Sequence, residues 1–213
     1  MKLYSYFRSS AAYRCRIALN LKGLPHELAF VHLVRNGGEQ KSEAYRTINP
    51  QALVPALEDD GVLLTQSLAI IEYLEEKYGG ARLLPDDPFE RARIRAFSLA
   101  IACEIHPLNN LRVLGYLKTT LGHDQPTVEA WYRHWVESGL AACEALLPER
   151  EAEFCFGDRP TLADIVLVPQ IFNARRFNAD LGAVPRLVAI DERCRKLKAF
   201  ADAAPGAQPD AEA

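Results

Sequence analysis

An arginine and two hydroxyls stand together at Arg8-Ser9-Ser10, between an aromatic, strand-prone run and a helical pattern. A helix N-terminus presents free N–H groups and the positive end of the helix dipole, so an anion is stabilised there, a thiolate included. Either serine would also suffice as a plain N-cap. Val54-Pro55 enters a short strand and is a candidate cis bond, which would turn the Val54 backbone outward to pair with an extended peptide-like ligand. The plainer alternative is an ordinary edge proline. Gln66-Ser67 precedes an apolar helix, where an amide and a hydroxyl at a helix start could hold a carboxylate or serve as a cap. Glu104-Ile105-His106-Pro107-Leu108-Asn109-Asn110, followed by Arg112, places a histidine and two amides beside a helix-kinking proline. Arg175 and Arg176 near the end of a later helix suit either an anion contact or a solvated helix terminus.

The elements that must position these groups read as two blocks. Strand patterns cover residues 3–7, 27–33, 54–57 and 62–64, with the hairpin signal Asp59-Asp60-Gly61 between the last two. Helical spacing covers 9–21, stopped at Gly23, and 68–78, capped by Ser67 and closed by Gly79-Gly80. Residues 37–49 are polar, a loop with a short helix. The order β-α-β-α-β-β-α combines one parallel crossover pair with antiparallel strands, the thioredoxin-like arrangement. Leu84-Pro85-Asp86-Asp87-Pro88 reads as a linker, with Asp87 as N-cap, Pro88 at the first helical position and Glu90 completing a capping box. Beyond it the pattern is helical over 88–121, 127–147, 162–173 and 184–198, and residues 203–213 read as a loosely held end. The expected organisation is a thioredoxin-like domain, 1–82, followed by an all-helical domain, 87–213.

Composition excludes several classes. The chain has 213 residues, 49% of them apolar, and a formal net charge of -3. That supports a packed core and argues against nucleic acid or an anionic membrane as main partner. No segment approaches the roughly 18 uninterrupted apolar residues of a membrane helix, and residues 1–7 are strand-like rather than a signal peptide. The five cysteines (Cys15, Cys103, Cys143, Cys155, Cys194) are scattered, with no CxxC and no metal spacing; they read as buried thiols in a reducing compartment. A cytoplasmic protein without a metal site is expected.

Taken in order, the motifs resemble the zeta class of the cytosolic glutathione transferases. They are YSYFRSSAAYRCRIALNLKG (residues 4–23), NPQALVPAL (49–57), QSLAIIEYLEE (66–76), IHPLNN (105–110), GDRPTLADIVLVPQ (157–170) and Gln208-Pro209-Asp210. The class includes maleylacetoacetate and maleylpyruvate isomerases. The resemblance implies glutathione as cofactor, a homodimer, and a small dicarboxylate with a cis double bond as substrate. It implies that Ser9 and Ser10 polarise the glutathione sulfur and that Val54, at Pro55, pairs with the cysteinyl backbone. Gln66 and Ser67 would hold the γ-glutamyl carboxylate and Gln40 the glycyl end. His106, Asn110 and Arg112 would approach from the helical domain, and Thr161-Leu162-Ala163-Asp164 would be a capping box with a folding role. The class commonly reads Ser-Ser-Cys where this chain has Ala11 in third place, so the nucleophile must come from glutathione.

The implied reaction is reversible thiolate addition to a cis enoyl-ketone, rotation and elimination, as in breakdown of aromatic compounds. Arg8 and Arg176 are expected to bind carboxylates and stabilise the enolate, because a guanidinium fork matches that geometry. The cationic density of Arg112 and Arg175 would suit maleylpyruvate. Conjugation of small α-halo acids and a non-enzymatic transferase-like module are the alternatives, the latter opposed by the presence of Ser9, Val54-Pro55, Gln66 and Ser67.

Overall fold

The computed structural model describes residues 1–150 and 152–212. They fall into two compact units, one built from residues 1–83 and 196–212, the other from 84–195.

The first unit is a four-stranded sheet in the order β2-β1-β3-β4. Its strands are β1 (Lys2–Ser5), β2 (Glu27–Phe30), β3 (Ala56–Asp59) and β4 (Val62–Thr65). β1 pairs parallel with β2, while β3 pairs antiparallel with both β1 and β4. The Asp59-Asp60-Gly61 turn forms as its residue types dictate, with φ of 48° at Asp60 and 79° at Gly61. Helices α1 (Ser10–Leu21) and α3 (Ser67–Lys77) pack against each other, and α2 (Glu43–Ile48) is the short helix of the polar stretch. Leu3, Ile17, Leu57, Ile70 and Leu74 are wholly buried. Two polar clusters tie the unit together. Asp59 accepts from Tyr73 (2.8 Å), Tyr78 (2.6 Å) and Lys77 (3.0 Å). Burial pushes its pKa up, but the bonds from Tyr78, Lys77 and Tyr73 outweigh burial and hold the carboxyl below its usual range. Lys22 Nζ meets Glu75 at 2.9 Å and Ala81 O at 3.2 Å, while the other Glu75 oxygen accepts from Leu83 N–H at 3.0 Å.

Residues 196–212 depart from expectation. The sequence assigns them to the helical domain and reads 203–213 as loose. They instead join the first unit through α9 (Lys198–Ala201) and the residues after it. Side-chain donors of α1 supply the cause: buried Tyr13 Oη donates to Phe200 O, partly buried Asn20 Nδ2 to Ala199 O and buried Arg16 Nε to Ala203 O. Gln208 closes the end on itself, donating to Asp202 O and Ala204 O.

The second unit is helical: α4 (Pro88–Leu99), α5 (Leu111–Thr119), α6 (Gln125–Leu146), α7 (Leu162–Arg176) and α8 (Pro185–Cys194). Asp87 caps α4 through Glu90 N–H as expected, but the Glu90 carboxylate turns to Arg93 rather than completing a capping box. The continuous helix expected over 88–121 is broken. After α4 the chain widens into a π-helical stretch, Ala100–Ile105, then a 3-10 turn, Pro107–Asn109, and restarts at α5. Pro107 has no N–H to continue the ladder. His106 N–H reaches back to Ile101 O at 2.9 Å, the long spacing of a π turn. Trp131 Nε1 of α6 donates to Leu108 O, and a Cβ at Gly139 would lie 2.4 Å from Ile105 Cγ1, so only glycine admits this packing. α8 ends at Cys194, short of the expected 198, and its first N–H groups, Arg186 and Leu187, donate to Glu144 of α6.

Asp164 is fully buried at the start of α7. It accepts from Thr161 N–H (2.8 Å), Thr161 Oγ1 (3.0 Å) and Cys155 N–H (2.9 Å). Four of the cysteines are buried as expected; Cys103, on the π-helical stretch, is exposed. No helix among the described residues is long and apolar enough to cross a membrane, and no group of three or more His, Cys, Asp or Glu among them could hold a metal ion.

Candidate active site

Sheet register brings the first unit's candidates to one end. Tyr4 lies opposite Ala56, Ala56 opposite Thr65, and Ser5 beside Phe30. The chain therefore leaves β1 toward Arg8-Ser9-Ser10, enters β3 from Val54-Pro55, leaves β4 toward Gln66-Ser67 and leaves β2 toward Gln40, all at the same edge.

Ser9 is the N-cap of α1, with Oγ accepting from Ala12 N–H at 3.2 Å. A hydroxyl carries one proton besides its lone pairs, so capping leaves that proton to donate to an incoming anion. The Ala11 N–H takes no partner among the described residues. Ser10 is buried at the first helical position. Arg8 stacks 4.9 Å from the centre of the Phe7 ring and donates through Nε (3.1 Å) and Nη2 (2.7 Å) to Tyr6 Oη. The guanidinium is thus aimed by two aromatic rings. Cys15 is no rival nucleophile: burial pushes its thiol up to about 12, against the pull of Arg14 and Arg16, and its Sγ contacts Ser67 O at 3.8 Å.

The Val54–Pro55 peptide bond is cis. Val54 side-chain atoms sit in a cluster with Tyr6, Phe7, Val31 and Tyr45. Tyr45 Oη and Asn49 Nδ2 both donate to the preceding carbonyl, Leu53 O. The Val54 backbone itself makes no hydrogen bond among the described residues.

Gln66, rather than Ser67, is the N-cap of α3, and Ser67 is its first helical residue. Gln66 has φ 68° and ψ 115°, a conformation costing on the order of 1–3 kcal/mol for a residue with a Cβ. Its side chain donates to Gln51 Oε1 at 2.7 Å. The Leu68 and Ala69 N–H groups have no partner among the described residues, and Arg14, buried in α1, donates to Ser67 Oγ at 3.3 Å. A carboxylate is the chemical match for this helix start. Sequence reasoning missed Arg14; its position one helical turn from Ser10 was the available signal.

Gln40 is buried, donating from Nε2 to Leu33 O, while Oε1 has no partner among the described residues. A Cβ on Gly38 would lie 2.6 Å from Gln40 Nε2, so that glycine makes room for the amide.

In the second unit, Asn110 is the N-cap of α5; its Oδ1 accepts from Arg112 N–H (2.9 Å) and Val113 N–H (3.3 Å). Its amide NH₂ is what remains for a ligand. His106 ends the π-helical stretch, and Arg112 is exposed. Asn109, not among the expected site residues, is buried with both amide atoms unpartnered among the described residues. Arg176 is exposed at the end of α7, its guanidinium 5.2 Å from the centre of the Phe177 ring. Arg175 is differently employed: it pairs with the buried Asp191, which also takes Arg195 at 3.0 Å. That pair joins α7 to α8.

Residues 3–82 match the glutathione S-transferase N-terminal domain family and residues 125–203 its C-terminal domain family. A probable maleylacetoacetate isomerase of Vibrio cholerae is 50% identical, over 98% of this chain and 97% of its own. A holo maleylpyruvate isomerase described as a bacterial zeta-class glutathione S-transferase superposes with a TM-score of 0.96 at 48% identity, over 100% of both chains. A maleylacetoacetate isomerase from Methylobacterium extorquens, solved with malonate and glutathione, superposes at 0.95 with 40% identity over 100% of both chains. The chain therefore belongs to the glutathione S-transferase family, within its zeta class.

Proposed function

We propose that the protein is a glutathione-dependent cis–trans isomerase that converts maleylacetoacetate to fumarylacetoacetate in the breakdown of aromatic compounds. The observation that carries this is the convergence, at one end of the sheet, of groups suited to each part of the tripeptide, in a chain half identical to a probable maleylacetoacetate isomerase. The relative solved with glutathione and malonate supports both a thiol cofactor and a dicarboxylate substrate.

Bound glutathione supplies a thiolate that adds to the cis double bond, leaves a single bond free to rotate, and departs with the trans product. The residues of this chain prepare that chemistry. Ser9 Oγ–H donates to the sulfur while its lone pair keeps the α1 cap, and Ser10 adds its helix-start dipole. Val54 N–H and C=O pair with the cysteinyl backbone beside Pro55 in the manner of an added strand. The α3 N-terminus at Gln66 and Ser67 receives the γ-glutamyl carboxylate, and Gln40 Oε1 accepts the glycyl N–H. His106, Asn110 and Arg112 contribute from the helical unit. Arg8 and Arg176 hold the substrate carboxylates and take up enolate charge.

Maleylpyruvate is the second reading, favoured by the 0.96 superposition on a maleylpyruvate isomerase. The charge argument for it now rests on Arg112 alone, since Arg175 is engaged by Asp191. A cytoplasmic homodimer is part of this reading. Val62 and Leu63 of β4 and Phe89 of α4 are exposed apolar side chains suited to subunit contact.

The deciding experiment is isomerisation of maleylacetoacetate and of maleylpyruvate with and without glutathione. No turnover of either in its presence rejects the reading, and much faster turnover of maleylpyruvate moves it to the second substrate. Arg176→Ala is expected to lower diacid turnover by about 10²-fold while glutathione binding stays within about twofold; equal loss of both would remove Arg176 from the substrate site. Gln66→Gly tests the strained cap. It should leave the unfolding midpoint unchanged or raise it by a few degrees, because the strain of about 1–3 kcal/mol is relieved, while weakening glutathione binding about tenfold. A clear fall in the midpoint, read by calorimetry, would show that the backbone there is not strained.

A further inference from the structure

Residues 210–212 touch residues in or beside three of the four segments proposed to hold glutathione. Asp210 Oδ2 accepts from Phe7 N–H at 3.0 Å, two residues before Ser9. Ala211 packs on the cluster that contains Val54 and Phe7. Glu212 Oε1 meets His32 Nε2 at 3.0 Å and Arg35 Nη2 at 3.0 Å, flanking Leu33, whose carbonyl holds Gln40. A second layer secures the first. Arg16, buried in α1, donates to Ser5 Oγ, Tyr6 O, Phe7 O and Ala203 O, so the same guanidinium binds both the end of β1 and the tail. Its charge lies close enough to Asp210 for the two to attract, which offsets part of the burial that lowers Arg16 to about 10.

This pattern has a chemical logic. The loop from β1 to α1 must hold Ser9 with its hydroxyl proton directed at the sulfur, yet Phe7 N–H, at the loop's start, has no strand partner of its own. A carboxylate on a neutral backbone N–H is the stronger kind of hydrogen bond, and it comes from the far end of the chain. Asp210 Oδ1 is buried with no partner among the described residues, a cost that plain tail packing would not require.

We propose that Asp210 is a positioning residue for the glutathione site, with Ala211 and Glu212 completing a brace that fixes the backbone before Ser9, around Val54 and before Gln40. This role rests on the glutathione-dependent reading above.

The test uses the full chain and the variants Asp210→Ala and Asp210→Asn. Amide hydrogen exchange is measured without glutathione, and glutathione binding and kcat with it. Asp210→Ala is expected to accelerate exchange at Phe7, Ser9 and Ala12 by about tenfold while exchange in α7 is unchanged, since local opening is read separately from global unfolding. Glutathione binding should weaken and kcat fall by about tenfold each, with KM for the diacid unmoved, because a small misplacement of a reacting group costs rate more than substrate binding. Asp210→Asn keeps an acceptor and should stay within about threefold. Exchange that accelerates equally at Phe7 and in α7 would reduce Asp210 to a structural residue and overturn the proposal. So would unchanged exchange and binding in Asp210→Ala when the unaltered chain binds glutathione. If the unaltered chain binds no glutathione, the functional reading falls first and this role falls with it.

Discussion

Ser9→Ala is expected to lower kcat/KM for isomerisation by about 10²- to 10³-fold, the usual effect of removing one donor from a developing negative charge. The same change removes the α1 cap seen in the 3.2 Å bond from Ala12 N–H. Loss of a serine cap costs about 1 kcal/mol, or some 2–4 °C in the unfolding midpoint for a chain of this size. The two effects separate cleanly because they differ so much in size. Ser9→Thr keeps both the cap and the proton and should restore most of the rate. Ser10→Ala, at a buried position one residue on, should cost less. The ionisation of bound glutathione, followed by thiolate absorbance, supplies an independent reading: in Ser9→Ala its pKa should move back toward the free value of about 8.5. An activity loss below about threefold, with a midpoint drop of the size given, would make Ser9 a cap and nothing more.

Asp164→Ala should be the most damaging single change to stability. The carboxyl is wholly buried and takes three hydrogen bonds, from Thr161 N–H, Thr161 Oγ1 and Cys155 N–H. Burial pushes its pKa up, and the N–H groups of Cys155 and Thr161 pull against that. Truncation to alanine leaves two buried backbone donors without an acceptor and opens a void at the head of α7. The combined cost is about 3–4 kcal/mol, roughly 10 °C in the midpoint. Asp164→Asn retains the shape but presents an NH₂ group to one of those donors, and should fall between. Glutathione affinity of the folded fraction should be unchanged, since Asp164 bonds only to Thr161 and Cys155, neither of which is among the groups proposed to hold glutathione. A midpoint within about 2 °C of the unaltered chain would mean that water replaces the carboxylate and that the cap is dispensable.

The features legible in the sequence were those with local causes. Asp59-Asp60-Gly61 turns because its residues tolerate positive φ, and Gly61 and Asp60 adopt it. Asp87 and Pro88 start a helix wherever they stand in that order. The Val54–Pro55 bond and the serines at the head of α1 were marked by residue type alone. What escaped depended on distant partners. Pro107 announced a break, but the π-helical stretch before it depends on Gly139 of α6 admitting Ile105. Arg14 and Arg16 are buried against the usual habit of charged residues, because their acceptors (Ser67 Oγ, three carbonyls and Ser5 Oγ) come from other segments. Residues 203–212 are small and polar, a composition that reads as a free end until Asp210 is seen on Phe7. Arg175 and Arg176 are indistinguishable by type; only the position of Asp191 assigns one to structure and leaves the other exposed.

The bond from Phe7 to Asp210 spans 203 positions. During synthesis the amino-terminal unit emerges first, and folding of a domain ordinarily begins as soon as its own residues are available. Here residues 84–195, a whole helical unit, must be translated before the segment that finishes the first unit exists. Contacts so far apart in sequence also slow closure of the native state. The amino-terminal unit must therefore wait, partly formed, through more than half of the chain's elongation. Nascent chains halted before residue 210 should hold a sheet and yet fail to bind to a glutathione resin.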